Sequence, residues 1–130
     1  MATELTIKVP NRVGQLAAIS GALGDAGVNI ASLSGSAVGN KGVIHVVVAD
    51  KDAARARRAL KAARLRVATD RKVIELRLSN KPGSLARAAK RLEKGRVSVE
   101  SAYLLGTGKR TTTLAIGVKD ARKAKKALGR

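Results

Sequence analysis

Cysteine is absent from the 130-residue chain. That excludes disulfides, thiolate nucleophiles and Cys-ligated zinc in one step. Tryptophan and phenylalanine are also absent and there is one tyrosine, so any core is built from Val, Ile, Leu and Ala. His45 is the single histidine, which argues against a His-based metal site. No secretory apolar run follows the start, where Glu4 and Lys8 interrupt the pattern. The longest useful apolar run, residues 42–49, is far too short to span a bilayer. The expectation is a soluble, cytoplasmic protein without metal or cofactor.

Apolar residues make up 45% of the chain, an ordinary globular share that argues against wholesale disorder. Positive charge dominates, with a formal net charge of +18. Residues 1–69 hold 10 Lys/Arg against 4 Asp/Glu, and residues 70–130 hold 17 against 5. The second half is therefore the more basic. A charge of this size sets up a long-range field that attracts anions and polyanions.

The chain repeats itself at an offset of 69 residues. Leu5, Ile7 and Val9 meet Ile74, Leu76 and Leu78, and Asn11-Arg12-Val13-Gly14 meets Asn80-Lys81-Pro82-Gly83. Leu23 meets Leu92. A fixed offset held through so many positions signals internal duplication. Near the end the offset becomes 68, with Asp52 meeting Asp120 and Leu60 meeting Leu128.

Each copy carries the same periodicities. Residues 4–9 alternate as a half-buried strand. A helix over 13–26 sets Leu16, Ile19, Leu23 and Ala26 on one face, and Gly27 ends it. Residues 28–37 predict a second strand. Residues 39–42 form a hairpin turn, and 43–49 a β-branched third strand. Asp50 or Asp52 caps a second helix with Ala53, Ala56, Ala59, Leu60 and Ala63 inward. Leu65 and Val67 give a short fourth strand.

The order βαββαβ is the split βαβ of a ferredoxin-like sandwich. The fold class is thus α+β: two tandem units, residues 1–70 and 71–130, each an antiparallel sheet with helices on one face. The second unit turns at residues 106–109, roots its last helix at Asp120 and lacks the final strand. The segment 64–79 is long enough to serve both units.

The sharpest feature is the strand-to-helix turn that occurs twice. Glycine at a first helical turn lets a ligand approach the backbone, and the free N–H groups with the helix dipole suit a carboxylate. The Asn amide offers both donor and acceptor to a zwitterion. Asn29, after the first helix, is placed to come near Asn11. Helix initiation alone explains Asn and Pro82, but not a glycine at the same place in both copies.

These residues resemble the ACT domain family of amino-acid-binding regulatory modules. The family pattern reads here as Asn11-Arg12-Val13-Gly14-Gln15-Leu16 with Gly27-Val28-Asn29-Ile30. It reads again as Asn80-Lys81-Pro82-Gly83-Ser84-Leu85 with Arg96-Val97-Ser98-Val99. The tandem arrangement is that of stand-alone ACT proteins. The resemblance implies a homodimeric sensor with amino-acid sites at interfaces between units. It implies ligand contacts from Asn11, Val13, Gly14, Gln15, Leu16, Asn29 and Ile30. In the second copy it implies contacts from Asn80, Pro82, Gly83, Ser84, Leu85 and Ser98. Val13 stands for the family's Pro, Arg96 for its Gly and Ser98 for its Asn, so the second motif is the more degraded.

Other constellations are weaker. Gly106-Thr107-Gly108-Lys109 has Tyr103 where a phosphate loop needs glycine, and Arg110 where it needs Ser or Thr. His45 sits among valines and Tyr103 reads as packing. No carboxylate pair or nucleophile–base pair stands out, so no catalytic residue is expected. The first helix has no Lys or Arg and is rich in Ala and Gly, which predicts a packed inter-unit or inter-chain face. The other three helices are basic and predict one basic layer. That layer raises a rival: a regulator that binds nucleic acid, although aromatic stacking platforms are nearly absent. An acidic protein partner is a third possibility.

Overall fold

The computed structural model describes residues 2–129. Two compact units divide between Asp70 and Arg71. Met1 and Arg130, the outer limits of the two expected units, lie outside the described residues.

The first unit runs β1 (Ala2–Pro10), α1 (Gln15–Asp25), β2 (Ser32–Val38), β3 (Lys41–Ala49), a single 3-10 turn (Asp50–Asp52) and α2 (Ala53–Ala62). It then enters β4 (Val67–Ser79). β3 pairs antiparallel with both β1 and β2, so that Ile7 and Gly35 flank Ile44 and Leu5 and Leu33 flank Val46. Leu5, Ile7, Val46 and Val48 meet Ile19 and Leu23 of α1 and Ala56 and Leu60 of α2 in one buried cluster. Both helices therefore cover one face of the sheet. Each large aliphatic side chain so buried contributes about 1.5–3 kcal/mol.

The second unit takes the rest of β4, then α3 (Ser84–Lys94), β5 (Val99–Thr107), β6 (Thr111–Val118) and α4 (Ala121–Ala127). β6 pairs antiparallel with β4 and β5. Ile74, Leu76, Ile116 and Val118 pack on Ala88, Leu92, Ala124 and Leu128. α3 and α4 approach closely where Gly95 faces Ala127: a Cβ on Gly95 would stand 2.7 Å from the Ala127 Cβ. Asp120 caps α4 by accepting a hydrogen bond from the Lys123 N–H at 3.0 Å. α4 is the last element among the described residues, so βαββα without a closing strand is the order found.

Several local expectations shift. β2 starts at Ser32 rather than 28, because the Val28 N–H turns back to the Leu23 carbonyl at 2.9 Å. Its ladder opens with Ala31 N–H on Val47 O at 2.8 Å. The first hairpin turn is only Gly39-Asn40, with Gly39 at φ 61°, as a two-residue turn with glycine leading requires. α1 starts at Gln15, not 13. β1 is buried on both faces over Ala2–Ile7 rather than alternating, and even Glu4 is only 1% exposed. Asp52 sits at the α2 N-cap but makes no side-chain cap bond; its carboxylate accepts from Arg55 at 2.6 Å. The outer face of α1, with Ala17, Ala18, Gly21 and Gly24, is exposed in the single chain. His45 and Tyr103 pack as expected, His45 with its Nδ1 3.0 Å from the Thr6 hydroxyl.

Candidate functional site

The two turns have one geometry. Gly14 stands at the α1 N-cap with φ 93° and ψ −2°, and Gly83 at the α3 N-cap with φ 86° and ψ −8°. Both are left-handed, a region costing an L-residue with a Cβ about 1–2 kcal/mol. A Cβ on Gly14 would meet nothing within 4 Å. Backbone conformation thus accounts for glycine in both copies, and close approach of a ligand is not needed to explain it.

Asparagine has an equally structural task. The Asn11 N–H donates to Asn40 O at 2.9 Å and its Nδ2 to Gly39 O at 3.0 Å. Asn80 does the same to Arg110 O at 2.8 Å and Gly108 O at 2.7 Å. Each Asn therefore ties its turn to the hairpin tip of the same unit. That bond uses one of the two Nδ2–H donors, leaving the second N–H and the amide oxygen without a protein partner among the described residues in either turn.

Beside the first turn lies an open groove of about 430 Å³. One wall is Asn11, Arg12, Gln15 and Leu16 at the start of α1. The other is the outer sheet, with Leu33, Gly35, Ala37 and Ile44. The volume and apolar floor fall in the range of small-molecule sites. Leu16 is 53% and Leu33 40% exposed, so two large apolar side chains stand uncovered at its mouth. Gly35 leaves the floor bare: a Cβ there would meet Ile44 Cγ1 at 3.6 Å, an ordinary contact.

Of the residues expected in the first copy, the groove brings together Asn11, Gln15 and Leu16. Gly14 acts through the backbone, and Val13 is fully exposed beside it. Asn29 is exposed and does not line the groove, while Ile30 packs against the core of the unit. Sequence reasoning missed Leu33, Gly35, Ala37 and Ile44. The available signal was Gly35 itself, because glycine inside a strand often marks a close approach.

The second copy differs. Asn80, Pro82, Gly83 and Ser98 are exposed and Leu85 is 52% exposed. Ser84 is buried and lines a cleft of about 240 Å³ with Arg77, Arg87, Arg91 and Leu128. Strand register equates Gly35 with Leu104: Gly35 and Ile7 flank Ile44, and Leu104 and Leu76 flank Leu114. A leucine side chain thus stands where the first copy has bare backbone. Among the described residues no group of three or more His, Asp or Glu could hold a metal, and no helix is long and apolar enough to cross a membrane.

Solved structures share this fold along nearly the whole chain. A Bacteroides thetaiotaomicron protein matches with TM-score 0.82 at 24% identity, over 98% of this chain and 85% of that one. The ligand-free regulatory subunit of aspartate kinase from Thermus thermophilus matches with TM-score 0.74 at 17% identity, over 98% and 89%. The same subunit from Thermus flavus gives 0.68 at 15%, over 98% and 90%. At these identities the likeness is one of fold. No curated protein matches the sequence. Residues 3–64, nearly all of the first unit, match the sequence model of the ACT domain, so over that stretch the chain is similar to the ACT domain family.

Proposed function

We propose that the first unit binds a small free amino acid in the groove beside Gly14, and that the chain is a non-catalytic regulatory protein. The observation that carries this reading is the meeting of Asn11, Gln15 and Leu16 with the bare strand floor at Gly35. A carboxylate suits the Arg12 guanidinium and the first N–H groups of α1, which have no intrahelical acceptor. An ammonium suits the Asn11 amide oxygen. The apolar floor takes a short side chain. Two chains of similar fold are regulatory subunits of aspartate kinase, and this chain is proposed to serve regulation too.

The same reading includes a homodimer. β2 is the outer strand of its unit, paired only with β3 among the described residues. Its exposed edge lies beside the open side of the groove, where Leu33 and Val38 are uncovered. A second copy along β2 would cover an edge that proteins rarely leave bare and would close the groove.

Thermal melting with each common amino acid tests the reading. A ligand at about 100 times its Kd stabilises by about 2.7 kcal/mol. Gly35→Leu, which imports the residue of the second copy, is expected to fold and to lose this response. If no amino acid raises the melting temperature, amino-acid sensing is wrong.

A further inference from the structure

We propose that the helical face of the second unit docks a nucleic-acid duplex through its phosphate backbone, with Arg87 and Arg91 seating one phosphate. On α3, Arg87, Lys90, Arg91 and Lys94 fall at i, i+3, i+4 and i+7, one flank of the helix. The neighbouring face, with Ser84, Ala88 and Leu92, is buried. α4 lies against α3 and adds exposed Arg122, Lys123, Lys125 and Lys126. Lys123 Nζ donates to Arg96 O at 2.9 Å across the pair. The eight cations therefore share one layer.

None of them is paired with a carboxylate among the described residues. The basic helix of the first unit is different: Arg55 reaches Asp52 at 2.6 Å and Arg57 reaches Asp70 at 3.0 Å. Unneutralised like charge opposes the compact state, so this layer is not accounted for by stability. Within it, Arg87 and Arg91 line one cleft, whose other wall is the β4 strand at residues 76–79. Arg87 is held over the helix start by Ser84 Oγ at 3.3 Å. The 69-residue offset puts Ala18 and Ala22 where Arg87 and Arg91 stand, so this cleft belongs to the second copy alone.

The chemistry favours a phosphate backbone. From Arg87 to Lys94 the stripe spans about 10 Å, a length over which a duplex presents about six charges. The charged flank carries no aromatic side chain for stacking single-stranded bases. It carries no exposed large apolar anchor of the kind protein interfaces centre on, since Leu85 lies on the other flank.

Fluorescence anisotropy with a labelled random-sequence duplex of about two helical turns, across a salt series around 0.1 M, is the test. Two triple variants carry the same change in net charge. Arg87→Glu/Arg91→Glu/Lys94→Glu is expected to weaken binding at least about 10-fold and to flatten the salt slope by about one for each phosphate left without its cation. Lys51→Glu/Arg58→Glu/Lys61→Glu, on the first unit, is expected to change affinity by no more than about 3-fold. Arg87→Gln/Arg91→Gln/Lys94→Gln supplies a milder second variant, and circular dichroism confirms that each is folded. Equal loss in the two Glu triples would reduce the effect to net charge and overturn the proposal. So would no duplex binding near 0.1 M salt. Tighter binding of a single strand, or of an acidic polypeptide, would assign the face to that partner instead.

Discussion

Asn11 and Asn80 make the same two hydrogen bonds, and Gly14 and Gly83 share one backbone conformation. What surrounds the two turns is not the same. The first faces a helix without Lys or Arg and a bare strand floor, while the second has Leu104 in place of that floor and carries Arg87 and Arg91 on its helix. A motif that shapes a turn can persist while the chemistry beside it changes. Repetition of Asn and Gly therefore testifies to shape, and the neighbours that differ testify to use.

The largest expected effect treats the units as equals. Leu23→Ala and Leu92→Ala occupy matching places in the two cores and are each expected to cost about 2–5 kcal/mol. Urea unfolding measures both. A cost near zero for Leu92→Ala would make the second unit a loosely held appendage. Ligand response separates the units again. Gly35→Leu is expected to forfeit the roughly 2.7 kcal/mol of ligand stabilisation, whereas Leu104→Ala leaves it intact. Loss of the response in Leu104→Ala would move the site to the second copy.

Gly14→Ala and Gly83→Ala should each cost about 1–2 kcal/mol without any ligand, because both must hold the left-handed conformation. Chemical denaturation of the two variants would break the comparison if only one of them suffered. The smallest effect concerns how the first helix of each copy ends. Gly27 takes φ 73° after α1, while Arg96 takes φ 56° at the matching place after α3. Arg96→Gly is expected to stabilise by about 1 kcal/mol and Gly27→Arg to destabilise by a similar amount. A scan of melting temperature reads both.

Much of the fold was legible because it rests on period and repetition. Alternation marked the strands, the 3.6-residue period marked Ile19, Leu23, Ala56 and Leu60, and Asp120 announced the α4 cap. Boundaries were less legible where hydrogen bonds compete, as at Val28, which closes the α1 terminus before the strand begins. The two-sided burial of β1 left no mark, since Glu4 and Thr6 read as an outward face. The candidate site was half legible. Asn11, Gln15 and Leu16 sit within one motif, but Leu33, Gly35 and Ile44 reach the groove only through strand register. The motif also pointed to Asn29, which the fold leaves off the groove.

The Asn-to-hairpin tie has a consequence for how such a protein can change over generations. The turn is held by the glycine backbone conformation and by the Asn side chain's bond to the hairpin, and, Asn11 apart, the residues that line the groove and cleft stand on other positions. Folding and recognition can then be altered separately. A duplicated unit of this kind tolerates drift in its lining, because the tie keeps the spare copy intact while its surface acquires new chemistry. Substitutions at positions 35, 87, 91 and 104 should be innovations of low risk, whereas positions 11, 14, 80 and 83 are held fast in both copies by the same constraint.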